Sequence, residues 1–195
     1  MDKKTELKVL LYFTILYLAV FSVIALIKAN YEFFYYIVLM SILIFFIVKF
    51  HKKFHLPIPV MTGLTIVGAM HIFGGQLHFN NIRLYDIWII PSIFKYDNLI
   101  HLIAIFISTL VIYSLLYPHL DKKLEHNRWS LSLILILIAM GLGAFNKVIE
   151  LGAVIFLGAS GQVGDYLNNA IDLMYNLGGA VLACFYLMKH NLNKK

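Results

Sequence analysis

Charge is what this sequence has least of. Asp, Glu, Lys and Arg together make 13% of its 195 residues, far below the roughly 25% of soluble domains, and too few to coat a water-soluble globule. Cysteine is nearly absent as well. With Cys184 alone, an intramolecular disulfide is excluded, and its place late in an apolar run reads as that of a small core residue. There is no internal repeat and no low-complexity tail. Acids are fewer than bases, 10 against 16, for a net charge of +6 and a pI near 9.3. In a soluble protein that balance would suggest nucleic acid. Here the bases sit in short loops between apolar runs, where membrane topology and anionic lipid headgroups explain them, so nucleic acid is not an expected partner.

What the chain has in abundance is apolar length. Hydrophobic residues make 61% and aromatics 15%, with a mean hydropathy of +0.82. Runs near twenty residues recur, and about twenty helical residues at about 1.5 Å each cross a hydrocarbon core of about 30 Å. The expected fold is an all-α polytopic membrane bundle, a single transmembrane domain over 1–195. Six spans are expected, at about 9–28, 31–50, 56–76, 97–117, 129–157 and 165–188. The first is too long for a signal-peptide core and lacks a cleavage site, so it reads as retained. Pro57 and Pro59 suit the start of the third span. Residues 77–96, with Tyr85, Trp88 and Pro91, read as a segment lying at the interface. The fifth span exceeds the bilayer thickness and has to tilt or project, and the stretch 158–164 reads as a Gly-rich loop.

Orientation follows from Lys and Arg. Three lie at the N-terminus (Lys3, Lys4, Lys8), three in the second loop (Lys49, Lys52, Lys53), three in the fourth (Lys122, Lys123, Arg128) and three at the C-terminus (Lys189, Lys194, Lys195). The opposite side has only Lys28, Arg83 and Lys95. Both termini are therefore expected in the cytoplasm of a multi-pass plasma (inner) membrane protein.

With that orientation the polar residues inside spans gather at one depth, toward the outer leaflet. Ionisable groups at membrane depth are costly and usually face an interior or a wet cavity, so they mark the expected site. Asp97 and His101 are i and i+4, as are Asn146 and Glu150, while Asp165, Asn168, Asp172 and Asn176 form one stripe. Together with His71 they bring imidazoles and carboxylates to one level from four spans. Such a set suits a divalent cation, and two imidazoles favour zinc or another transition ion over magnesium or calcium. The expected metal ligands are His71, His101, Asp165 and Asp172, with Glu150 or Asp97 as general base. Plainer readings stand beside each: His71 as a packed, hydrogen-bonded residue, Lys147 and Glu150 as a self-neutralising pair, and Asp165 as a residue favoured at a helix N-terminus. His78 is a weak candidate, and His51, His55, His119, His126 and His190 have no assigned role.

These residues resemble a known pattern. His71 with Gly74 and Gly75, Tyr96-Asp97-x3-His101, Glu150, Gly158, Gly164-Asp165-x2-Asn168-x3-Asp172 and Gly178-Gly179-Ala180 look like the YjdF-like family of bacterial and archaeal inner-membrane proteins over about 61–180. Lys147 stands where that family tends to have an acid, and Asn168 where it has Asp; both changes remove negative charge and speak against a two-metal arrangement. The resemblance implies fold and site, and no particular chemistry.

Three functions fit. The first is a metal-dependent membrane hydrolase or transferase acting on a lipid or lipid-linked group from the outer side, with membrane lipids as partners. The second is a small-solute or ion-coupled transporter, disfavoured by the off-centre site and by the apolar remainder of spans five and six. The third is a scaffold whose polar cluster joins the helices.

Overall fold

The computed structural model describes residues 2–54 and 56–190; His55, Lys194 and Lys195, which entered the reading above, lie outside them. Six helices are long and apolar enough to cross a membrane. They are α1 (Lys3–Ile27), α2 (Tyr31–Phe54), α3 (Ile58–Gln76), α4 (Tyr96–Leu116), α6 (Arg128–Leu157) and α8 (Tyr166–Lys189). Two short helices, α5 (Lys122–His126) and α7 (Ser160–Val163), sit in connections, so the 158–164 stretch is one helical turn and not an open loop. The chain is thus an all-α polytopic bundle.

Four of the six long helices begin at a side-chain cap, and α3 begins at a proline. Asp2 Oδ1 accepts from the Thr5 N–H at 3.1 Å and Asn30 Oδ1 from that of Phe33 at 3.2 Å. Pro57 precedes α3, Asn127 Oδ1 takes the Ser130 N–H at 3.2 Å, and Asp165 Oδ1 takes that of Asn168 at 2.9 Å. Such caps satisfy amide donors that the first helical turn leaves over, and in hydrocarbon the rest of the backbone must be satisfied within the helix itself.

Helix α4 lies at the centre. It packs most extensively on α8, and also on α3 and α6, while α1 lies against α3 and α2 against α1. Between them lie apolar clusters, among them Ile112, Leu131, Leu135 and Ala180 where α4, α6 and α8 meet, and Leu18, Ile37, Ala69 and Ile72 where α1, α2 and α3 meet. The outward faces remain apolar and exposed, as at Leu16, Leu43, Phe45, Leu137, Phe145 and Phe156. A membrane solvent covers such faces where water would not.

The segment expected to lie at the interface has its own structure. Strands β1 (His78–Phe79) and β2 (Ile82–Arg83) form one antiparallel hairpin, and β3 (Trp88–Ile90) and β4 (Phe94–Lys95) another. Asn80 and Asn81 turn the first with φ of 51° and 63°, the left-handed pair that a tight hairpin needs. Between the hairpins a 3-10 turn, Leu84–Asp86, buries Tyr85 against the end of α3. Here α3 ends and α4 begins, and α6 ends and α8 begins; this is the hairpin end, opposite the end that holds the termini.

Candidate functional site

Two backbone features place the polar residues of α8 and α4 face to face. Gly164, at φ +86°, turns the chain into α8, so that Asn168, Asp172 and Asn176 share the inward stripe. Deeper in the bundle, Gly179 lets α8 approach α4 so closely that a Cβ there would lie 2.2 Å from the Leu102 carbonyl oxygen. No larger residue fits without moving one helix. The result is that His101 Nε2 lies 3.5 Å from Asp172 Oδ2 and 3.6 Å from Asp97 Oδ1.

Helix α6 contributes the third side. Lys147 Nζ donates to Asp172 Oδ2 at 2.7 Å and to Glu150 Oε2 at 2.8 Å, and Asn146 Nδ2 donates to Glu150 Oε1 at 2.6 Å. Asn168 Nδ2 adds a bond to Asp172 Oδ2 at 3.2 Å. Asp172 is 1% exposed, and while its Oδ2 is crowded, its Oδ1 is buried with no hydrogen-bond partner among the described residues. A buried carboxylate oxygen left unpaired is costly and calls for an explanation.

The His101 ring faces the other oxygen. Its Nδ1 lies 3.3 Å from Asn176 Oδ1, and its Nε2 lies between the Asp97 and Asp172 carboxylates, where either a proton on Nε2 or a cation satisfies the three groups. The ligand atoms of Asp97, His101 and Asp172 all lie within 4.8 Å of one another. Zinc bonds of about 2.0–2.1 Å in a tetrahedron set ligands about 3.3 Å apart, close to the separations at His101 Nε2.

The sequence-derived candidates divide as follows. Asp97, His101 and Asp172 come together, and Glu150 joins them through Lys147. His71 lies outside the trio, among aromatic rings. Its Nδ1 pairs with the Tyr85 hydroxyl, and its ring packs 5.6 Å from those of Phe33 and Tyr36. Asp165 is exposed at the start of α8, where its side chain accepts the Asn168 N–H. Its role there is that of a helix cap, and it is not part of the trio. Asp97, read as a base candidate, has its Oδ1 3.6 Å from His101 Nε2. His78 Nδ1 lies 3.3 Å from its neighbour's carbonyl, that of Gln76.

Tyr85 is the residue that sequence reasoning missed. Burial raises its phenol well above the ordinary value near 10, and the carboxylates of Asp97 and Glu150 and the Tyr96 phenol push the same way, against Arg83. It therefore stays protonated and shares a hydrogen bond with His71, within reach of the fields of both acids. Arg83 in turn lies 3.0 Å from Asp86 and 4.0 Å from Glu32, with its guanidinium 5.6 Å from the Tyr85 ring. Only spacing on helices was legible beforehand; a 3-10 turn between hairpins gives no periodic signal.

Six apolar helices enclosing a charged, partly buried cluster define an integral membrane protein with an internal polar site. The comparison with known families agrees: the model described as predicted membrane protein (DUF2238) matches residues 8–193, and the chain belongs to that family. No curated protein and no solved structure matches the chain.

Proposed function

We propose that the protein is a metal-dependent membrane hydrolase or transferase of the plasma membrane, working on a lipid or lipid-linked substrate at its extracytoplasmic face. The observation that carries the reading is the trio Asp97, His101 and Asp172, with His101 Nε2 between two carboxylates and Asp172 Oδ1 buried and unpaired among the described residues. Three protein ligands with a fourth position open is the form of catalytic zinc sites, whereas structural sites are closed. A divalent ion there supplies Lewis acidity and makes water acidic enough to serve as a nucleophile near neutral pH.

The chain's own groups divide the remaining work. Asn176 orients the His101 ring through Nδ1. Glu150, oriented by Asn146 and Lys147, takes a proton as general base. The Lys147 ammonium stabilises negative charge that develops on a phosphoryl or carbonyl oxygen of the substrate. Headgroups and ester linkages lie at the depth of the hairpin end, which is why a lipid is the proposed substrate class.

The test is product release. Protein in mixed micelles with bilayer phospholipids is followed by mass spectrometry before chelation, after it and after zinc is restored. Turnover that stops and returns, and that is absent in Glu150→Gln, supports the proposal. Lipids left intact by the metal-loaded protein count against it, and solute flux in proteoliposomes that Asp172→Ala abolishes replaces it with transport.

A further inference from the structure

A second feature lies at the opposite end of the bundle and stands independently of the metal site. Helices α1, α2 and α3 diverge there around a cavity of about 760 Å³, within the range of about 300–1,000 Å³ found for ligand sites. Its walls are apolar, with Leu11, Leu43, Ile44, Ile47 and Leu64 among them, and its mouth carries Lys3, Lys4 and Lys8 with no acidic residue in the lining. Thr14 and Thr65, hydrogen-bonded at 3.5 Å across α1 and α3, lie in its lining with Tyr17 one turn deeper.

We infer that this groove binds one anionic glycerophospholipid from the leaflet on the side of the termini, an acyl chain along the groove and the phosphate at the three lysines. The dimensions match. From Lys8, the innermost lysine, to Tyr17 is nine helical residues, roughly 14 Å, and half a hydrocarbon core is about 15 Å. A groove that begins in cations and runs along apolar walls for about one leaflet has the length and polarity of a lipid. Charge complementarity selects the occupant: a zwitterionic headgroup gains little from three ammonium groups, whereas an anionic one gains from each. Lys4 and Lys8 lie one helical turn apart, on the face of α1 that also carries Leu11.

Native mass spectrometry of the detergent-purified protein, titrated with phosphatidylglycerol or with phosphatidylcholine of the same chains, tests this. The expected result is one phosphatidylglycerol per chain, preferred about a hundredfold, from roughly fivefold for each lysine. Replacing all three as Lys3→Gln, Lys4→Gln and Lys8→Gln removes the preference. Leu43→Trp, at an exposed position in the groove wall, removes retention of both lipids. All four positions are exposed, so folding is not at issue. Equal retention of the two lipids by the unaltered protein overturns the inference. So does an equal loss from the control Lys122→Gln with Lys123→Gln, or a dimer that Leu43→Trp separates.

Discussion

Lys147 Nζ lies 2.7 Å from Asp172 Oδ2, joining the ammonium of α6 to a carboxylate of α8 that is 1% exposed. The same nitrogen holds Glu150 at 2.8 Å. One cation thus serves two acids, and neither acid is balanced if it is removed.

Lys147→Met should therefore lower stability by about 3–5 kcal/mol, the cost of leaving a buried charge without its partner. It should also raise the affinity for a divalent ion, because a positive charge has left the ligand's neighbourhood. Thermal unfolding in detergent checks both: the variant melts earlier than the parent in chelator and recovers more of the loss when zinc is added. An equal response to zinc in the two proteins would contradict the shared site.

At Gly179 helix α8 lies against the backbone of α4. Gly179→Ala should drive the helices apart at Leu102, lengthen the His101 to Asp172 separation and weaken ion binding at least about tenfold, as is common for residues that orient ligands. Gly141, where an added Cβ meets nothing within 4 Å, provides the control, and Gly141→Ala should bind the ion as before.

Tyr85→Phe removes the hydrogen bond to His71 and should cost about 1–3 kcal/mol, the penalty of a buried polar group left unpaired. The pH dependence has a definite sign. Because burial holds the Tyr85 phenol above its ordinary value near 10, its contribution to stability is full below that pH and is lost as pH rises through the folded-state value. In Tyr85→Phe the alkaline decline in stability above about pH 10 should be shallower, as read from unfolding midpoints across pH.

Asp165→Ala should cost about 1 kcal/mol, the usual value of an N-cap side chain, and should leave ion binding unchanged. Reduced metal content in that variant would show that Asp165 belongs to the site after all.

The helices were legible because apolar length is a one-dimensional signal, and their bounds moved by only a few residues. The α8 stripe and the Asp97–His101 pair were legible because helical spacing puts i and i+4 on one face. What spacing does not give is how helices are rotated against one another. Lys147 looked like the local partner of Glu150, which it is, but its bond to Asp172 depends on how α6 faces α8. His71 and Asp165 share the level of the site without sharing its centre, since depth in a bundle fixes one coordinate of three. Tyr85 arrives between hairpins whose strands are only two or three residues long, turned by left-handed Asn80, Asn81 and Ser92 and not by hydrophobic pattern.

The most direct test of the central claim is the metal content of the protein after equilibration with zinc and removal of unbound ion. The expected result is one ion per chain in the unaltered protein and in Asp165→Ala, with at least about a tenfold loss of affinity in Asp172→Asn and in His101→Ala. No bound ion in the unaltered protein, or the same content in all four, would contradict it and leave the cluster as a polar lock between α4, α6 and α8.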